Sequence, residues 1–143
     1  MCGGQSIDLA AVGKQLDIAE LEDMHIHKTG ALIRASVLLG ALSSQDLSED
    51  QRQALDHYGK CIGLAFQVQD DILDVTATTE QLGKQAGADT ALEKPTYPAL
   101  LGLNGARERA GELHQAATDS LVAFGAEADP LRWLSAYIVA RTH

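Results

Sequence analysis

The run from Phe66 to Val75, FQVQDDILDV, constrains the fold of this chain more than any other segment. Four of its polar side chains recur at positions i, i+3, i+4 and i+7, which share one face of an α-helix: Gln67, Asp70, Asp71 and Asp74. The remaining circumference is apolar, and only Gln69 interrupts it. The spacing predicts a helix that carries a narrow acidic stripe, defined by these four residues, on an otherwise apolar surface.

Three carboxylates on consecutive turns repel one another, and burial raises the cost of each charge. No lysine or arginine occurs between Cys61 and Gly83, so the neutralising cation has to come from elsewhere. A Mg²⁺ ion fits this requirement, because it takes few carboxylates and completes its shell with water and phosphate oxygens. The alternative is a solvated acidic face, which is normally broader and mixes in Lys or Glu. We therefore favour Asp70, Asp71 and Asp74 as metal ligands, and no EF-hand loop is present.

Composition limits the partners of the chain. The 143 residues, 45% hydrophobic and 22% charged, predict one globular domain. A net charge of −9 disfavours binding to nucleic acid or to an anionic membrane surface, because both need clusters of Lys and Arg. The longest apolar segment, 30–42, contains Arg34 and is about a third too short for a transmembrane helix. We expect no membrane span.

Cysteine usage predicts a reducing, cytoplasmic location. The two cysteines, Cys2 and Cys61, do not form a disulfide framework, and no signal-peptide pattern opens the sequence. Cys61 falls on the apolar side of the predicted stripe helix. It is therefore expected to be a small core residue and not a reactive thiol.

A second informative segment lies upstream, in a helix predicted from Ile18 to about Leu42. Asp17 is its expected N-cap, with Glu20 completing a capping box. Inside this helix, residues 28–30 place a lysine, a hydroxyl and a glycine on adjacent positions. Lys28 taken alone favours a solvated surface lysine beside a helix-packing glycine.

Further helices are predicted from cap and periodicity signals, and no strand is predicted. Ser48, with Gln51, caps the stripe helix, which should end near residues 75–78. Another helix starts near Pro98 and continues amphipathically over residues 106–124. The last begins at Asp129-Pro130, with an expected buried set of Leu131, Leu134, Tyr137 and Ile138, and with Trp133 also expected in the core.

The segment from 78 to 97 combines glycines and prolines with Lys84 and Lys94. This composition is typical of a loop that can close over a ligand, and equally of a plain surface loop. The residues alone leave both interpretations open.

Several of these motifs together resemble one family. The segment 63–74, GLAFQVQDDILD, resembles the second aspartate-rich motif of the trans-isoprenyl diphosphate synthases, with HKTG at 27–30 and GK at 83–84 at family spacing. The segment 94–103, KPTYPALLGL, resembles the bacterial farnesyl diphosphate synthases, also called geranyltranstransferases. The resemblance implies an all-α, isoprenoid-synthase-type helical bundle around a central cavity, with residues 1–143 as its C-terminal half and no second domain.

The resemblance also implies a reaction. Members of this family condense isopentenyl diphosphate with an allylic diphosphate, dimethylallyl or geranyl, to give farnesyl diphosphate, and they require Mg²⁺. By this resemblance, Asp70 would ligate a Mg²⁺ ion with help from Asp74, and Asp71 would act through bound water. Lys28 and Lys84 would neutralise the departing pyrophosphate together with that ion.

The remaining roles implied by the resemblance concern the hydrocarbon part of the substrate and the loop. Gln67 and the oxygens of Lys28 and Thr29 would direct dipoles toward the allylic cation. Lys94 would close the loop over the phosphates, and Phe66 would form part of the wall.

Two alternatives to a complete enzyme stay open, because family members are longer and their first aspartate-rich motif would precede Met1. The chain could be a non-catalytic helical fragment or partner subunit of a prenyl synthase, or an acidic interaction domain with solvated aspartates. Half of a helical bundle should expose apolar helix faces. We therefore expect a homodimer, or association with a complementary N-terminal half.

Overall fold

The computed structural model describes residues 16–44, 46–76 and 95–142. These ranges contain five α-helices, a π-helical turn and a 3₁₀ turn, and no strand, so the all-α prediction is confirmed. In chain order the elements are α1 (Ile18–His25), the π turn (Ile26–Gly30), α2 (Ala31–Ser43), α3 (Glu49–Thr76), α4 (Tyr97–Ser120), the 3₁₀ turn (Ala126–Ala128) and α5 (Asp129–Ala140).

The two predicted capping boxes are present. Glu20 donates its backbone N–H to the Asp17 carboxylate, and Asp17 donates its own to the Glu20 carboxylate, both at 2.9 Å. Ser48 and Gln51 form the same reciprocal pair at the start of α3, at 2.9 and 3.2 Å. Each pair satisfies backbone donors that the first helical turn leaves without intrahelical acceptors.

Helix α3 is the centre of the fold and packs against α2, α4, α5 and the π turn. Its buried side chains include Tyr58, Ile62 and Val68. The Tyr58 hydroxyl donates to the Leu131 carbonyl at 2.7 Å, which ties α3 to α5, and burial raises its pKa to about 12. Cys61 is buried as predicted, and burial raises the pKa of its thiol.

The prediction of one continuous helix from Ile18 to Leu42 is wrong at residues 26–30. The chain forms a π turn there, and Lys28 leaves helical geometry with φ −90° and ψ −111°. The turn lies directly on α3, where a Cβ built on Gly63 would be 2.9 Å from the Gly30 Cα. Two glycines therefore permit a backbone contact that no other residue type would allow.

Ion pairs connect the helices at the rim of the core. Arg109 on α4 donates to Glu22 on α1 at 2.8 Å, and Arg34 on α2 pairs with Asp56 on α3 at 2.5 Å. The Arg34 guanidinium, through its hydrogen bonds, holds the Asp56 pKa below its ordinary value of 3.8. Both links join segments far apart in sequence.

Helix α4 begins as predicted beside Pro98, with the Thr96 side chain accepting from the Ala99 N–H at 3.3 Å. Gly102 interrupts it at φ +70° and ψ 165°, a conformation that favours glycine. The helix ends at Ser120 and not near Phe124, because residues 121–124 form turns.

The expected buried face of α5 is only partly correct. Ile138 is buried and Leu131 packs against the core, but Leu134 is exposed. Trp133 and Tyr137, expected in the core, are 70% and 61% exposed. Residues 131, 135 and 138 form the inward face, so the two aromatic rings lie on the other side of the helix. Across the described helices, none has the length and apolarity that crossing a bilayer requires.

Candidate active site

The acidic stripe is mostly buried. Gln67, Asp71 and Asp74 are buried, whereas the Asp70 side chain is 43% exposed. Gln67 Nε2 lies 3.5 Å from Asp70 Oδ2. A solvated acidic face would expose all of these groups, so the structure argues against that interpretation.

The close contact of Gly30 and Gly63 places the π turn beside the stripe. Gly63, Gln67, Asp70 and Asp74 recur at helical spacing on one face of α3. At a rise of 1.5 Å per residue, Asp70 lies about 10 Å along the axis from the point of contact. The half-buried side chains of Lys28 and Thr29 therefore belong to the segment that meets this face.

Asp70 contacts a cation that the sequence did not identify. The Arg141 guanidinium, just after α5, forms an ion pair with the Asp70 carboxylate and donates to the Phe66 carbonyl at 3.2 Å. Its central carbon lies 4.3 Å from the centroid of the Phe66 ring, in cation–π geometry. Asp70 and Phe66, both predicted site residues, lie one helical turn apart on α3, and Arg141 contacts both of them.

Asp71 turns toward a different part of the structure. Its Oδ2 accepts the Tyr97 backbone N–H at 2.9 Å, which fixes the start of α4 against α3. The same oxygen lies 4.0 Å from His25 Nε2, and the His25 ring stacks on Tyr97 with 5.6 Å between centroids. Burial raises the Tyr97 pKa far above its usual range, and the charges of Glu22 and Asp71 add to the effect.

Within the described ranges, no group of three or more His, Cys, Asp or Glu side chains is arranged to hold a metal ion. Mg²⁺ needs less than that, because one or two carboxylates suffice when phosphate and water supply the other ligands. Asp70 offers an accessible carboxylate, and Asp74 lies one helical turn away on the same face. Asp70 and Asp74 therefore fit a Mg²⁺ ion that takes its other ligands from water and phosphate. Asp71 already accepts the Tyr97 N–H.

Two predicted site residues, Lys84 and Lys94, lie outside the described ranges. The same holds for most of the predicted closing loop at 78–97. The roles of these residues stay predictions.

Arg141 is the residue that sequence reasoning missed. It stands 71 positions from Asp70, and nothing in the local pattern of either segment joins them. The available signal was indirect, because a buried stripe of carboxylates without nearby basic residues requires a cation from a distant segment.

Comparison with known proteins agrees with the helical architecture. A sequence model of the family described as polyprenyl synthetase matches residues 1–122. A farnesyl diphosphate synthase of Escherichia coli strain K12 is 52% identical over 144 residues, which cover 99% of this chain and 48% of the E. coli sequence. The chain spans about half the length of such relatives.

Two further relatives extend the comparison. The large subunit 1 of a heterodimeric geranylgeranyl pyrophosphate synthase of Arabidopsis thaliana is 42% identical, with 99% of this chain and 39% of that sequence covered. A crystal structure of a Helicobacter pylori geranyltransferase, complexed with magnesium and isoprenyl diphosphate, superposes with a TM-score of 0.76 at 34% identity. The alignment covers 97% of this chain and 45% of that one. Since the family match extends over most of the sequence, this chain belongs to the polyprenyl synthetase family.

Proposed function

We propose that this chain forms the second aspartate-rich wall of a Mg²⁺-dependent prenyltransferase. The enzyme would condense isopentenyl diphosphate with dimethylallyl diphosphate to give geranyl diphosphate. It would then condense a second isopentenyl diphosphate with geranyl diphosphate to give farnesyl diphosphate, and each step would release one pyrophosphate. One observation supports the proposal: Gly30, which directly follows Lys28 and Thr29, contacts Gly63, and Gly63 shares a face of α3 with Gln67 and Asp70. The magnesium and isoprenyl diphosphate bound to the H. pylori relative support the ligand class.

The first step breaks the allylic carbon–oxygen bond, so negative charge develops on the pyrophosphate. Lys28 would stabilise that charge, and Lys84 is proposed to do the same. Bound Mg²⁺ would supply Lewis-acid neutralisation of the diphosphate. Asp70 would hold the ion with Asp74, while Asp71 would contribute through water and keep its direct bond to the Tyr97 N–H.

Positive charge develops on the hydrocarbon fragment in the same step. The side-chain amide of Gln67 and the backbone carbonyls of Lys28 and Thr29 would point the negative ends of their dipoles, the oxygens, toward this cation. The ψ of −111° at Lys28 turns its peptide away from the helical direction. Amide oxygens are poor nucleophiles, so they would stabilise the cation without trapping it. The isopentenyl double bond would attack it, and the proton would leave with the pyrophosphate.

Two proteins test the proposal. The first is the chain alone, and the second is a chimera in which this chain replaces the matching segment of the E. coli relative. Each is incubated with Mg²⁺, isopentenyl diphosphate and geranyl diphosphate. We expect the chimera to form farnesyl diphosphate, and Asp70→Ala to abolish it. A folded chimera that makes no product, or one that Asp70→Ala leaves fully active, would refute the proposal.

A second candidate function is supported by the exposed apolar surface of the described helices. Leu32, Leu39 and Leu42 on α2 are exposed, as are Trp133 and Tyr137 on α5. Such surface favours association, either with a second copy or with a complementary half. A non-catalytic partner subunit would use the same faces, and the Arabidopsis relative is described as part of a heterodimer.

Sedimentation velocity of the chain, alone and with the non-matching segment of the E. coli relative, tests this association. A monomer at high concentration in both samples would count against both kinds of association. The cytoplasmic location inferred from cysteine usage stays a prediction.

A further inference from the structure

Arg141 holds Asp70 through a contact built from several directions. The guanidinium stacks on the Phe66 ring at 4.3 Å, donates to the Phe66 carbonyl and pairs with the Asp70 carboxylate. The Arg141 side chain is only 13% exposed, whereas that of Asp70 is 43% exposed. The arginine is therefore the fixed partner of this pair, and the carboxylate is the accessible one.

The backbone of Arg141 is anchored independently of Asp70. Its N–H donates to the Tyr137 carbonyl at 3.0 Å, and its own carbonyl accepts from Gln69 Nε2 at 2.9 Å. The Phe66 stack also does not need the carboxylate. The guanidinium would therefore keep its position if Asp70 turned to another ligand.

A divalent cation and this guanidinium on one Asp70 carboxylate would repel each other, so the binding of either one weakens the binding of the other. Arg141 occupies Oδ1, and Gln67 Nε2 lies near Oδ2. The Arg141 Nε–H is buried and has no hydrogen-bond acceptor among the described residues, so Asp70 satisfies the guanidinium only in part. The ion pair neutralises Asp70, and a stronger cation could replace Arg141 as the partner of this carboxylate.

We propose that Arg141 is the counter-ion of Asp70 when no metal ion is bound, and that Asp70 exchanges its ion pair with Arg141 for a divalent cation when one binds. This inference rests on the proposed role of Asp70 as a metal ligand. Arg141 then acts as a positioning residue that sets the cation affinity of the site. By linkage, the arginine weakens cation binding by the same factor by which the cation weakens the ion pair.

The test uses the ¹⁵N-labelled full chain, titrated with Mg²⁺ and followed by NMR. In the wild-type protein, the Arg141 Nε–H signal and the Asp70 amide signal should shift together, with one apparent Kd. Sodium chloride at matched ionic strength should not reproduce the shift. Arg141→Gln should bind Mg²⁺ more tightly by about fivefold or more, which is the lower end of ordinary coupling.

Arg107→Gln is the matched control. Arg107 is exposed on α4 and lines the same cleft of about 420 Å³ as Arg141, without an ion pair or hydrogen bond to Asp70 among the described residues. Arg107→Gln therefore removes one positive charge from the same cleft without breaking a contact to Asp70. It should change the Mg²⁺ affinity by much less than Arg141→Gln.

The outcomes separate this inference from the function on which it rests. If Mg²⁺ shifts the Asp70 amide but leaves the Arg141 Nε–H signal unchanged, the counter-ion role is wrong and the metal role of Asp70 stands. The same conclusion follows if Arg141→Gln and Arg107→Gln change the affinity equally. If Mg²⁺ shifts the Asp70 amide in none of the three proteins, the metal role itself is wrong, and the inference fails with it.

Discussion

Replacing Gly63 by alanine should destabilise the protein, although alanine is normally the better helix former. The added Cβ would lie 2.9 Å from the Gly30 Cα and 3.3 Å from its carbonyl oxygen. Both neighbours are backbone atoms, so the π turn has to move as a whole. The substitution therefore tests the contact that places Lys28 and Thr29 beside the stripe.

The size of the effect follows from two opposing terms. Alanine gains about 0.5–1 kcal/mol over glycine inside a helix. Overpacking of a close backbone contact costs about 1–3 kcal/mol. We expect a net loss of about 1 kcal/mol in the free energy of unfolding, which is the difference between the midpoints of these two ranges.

Urea unfolding monitored by far-UV circular dichroism measures this loss, and the midpoint should fall by about 0.5–1 M. Gly111→Ala is the control, because its Cβ would meet nothing within 4 Å on the exposed face of α4. It should stabilise the protein by about 0.5–1 kcal/mol. If Gly63→Ala proves as stable as Gly111→Ala, the contact between the π turn and α3 is not as described.

Three other predictions follow from single contacts. Asp71→Ala should cost about 1–3 kcal/mol in urea unfolding, because it leaves the buried Tyr97 N–H without its acceptor; an unchanged midpoint would contradict the structural role of this carboxylate. Gly102→Ala should cost about 1–3 kcal/mol despite open space around it, because φ is +70° there; a stabilised variant would show that the helix break is absent. The pair of Arg34 and Asp56 stabilises the fold fully above pH 3.8, which is the ordinary pKa of the carboxyl. This contribution is lost as the pH falls through the lower pKa that Asp56 has in the folded protein. Asp56→Asn should therefore flatten the acid limb of a stability profile measured by urea titrations, and a limb as steep as that of the wild type would refute the pairing.

Features set by neighbours in sequence could be predicted, because their partners are a few residues away. The capping boxes at Asp17 and Ser48 are of this kind, as is the start of α5 at Asp129. The stripe of α3 also follows from spacing alone. Periodicity gave the helices and the all-α class for the same reason.

The failures all involve contacts between distant segments. The π turn depends on Gly30 meeting Gly63, and a local pattern cannot report that contact. The sequence of α5 has apolar side chains on more than one face, so periodicity could not show that Trp133 and Tyr137 would point outward.

The cationic partner of Asp70 also depends on a contact between distant segments, so the sequence could not identify it. Charge reasoning required a positive partner for Asp70, and it named Mg²⁺. The structure places the Arg141 guanidinium beside Asp70, from a segment beyond the last helix. The requirement was physical and could be predicted, whereas the identity of the partner depended on tertiary structure.

Calorimetric titration of this chain with inorganic pyrophosphate, in the presence and absence of Mg²⁺, tests the proposed metal site most directly. We expect binding that requires Mg²⁺ and that Asp70→Asn abolishes, because Asp70 would connect the stripe to the diphosphate through the ion. Binding of equal strength without Mg²⁺, or binding that Asp70→Asn leaves unchanged, would contradict it.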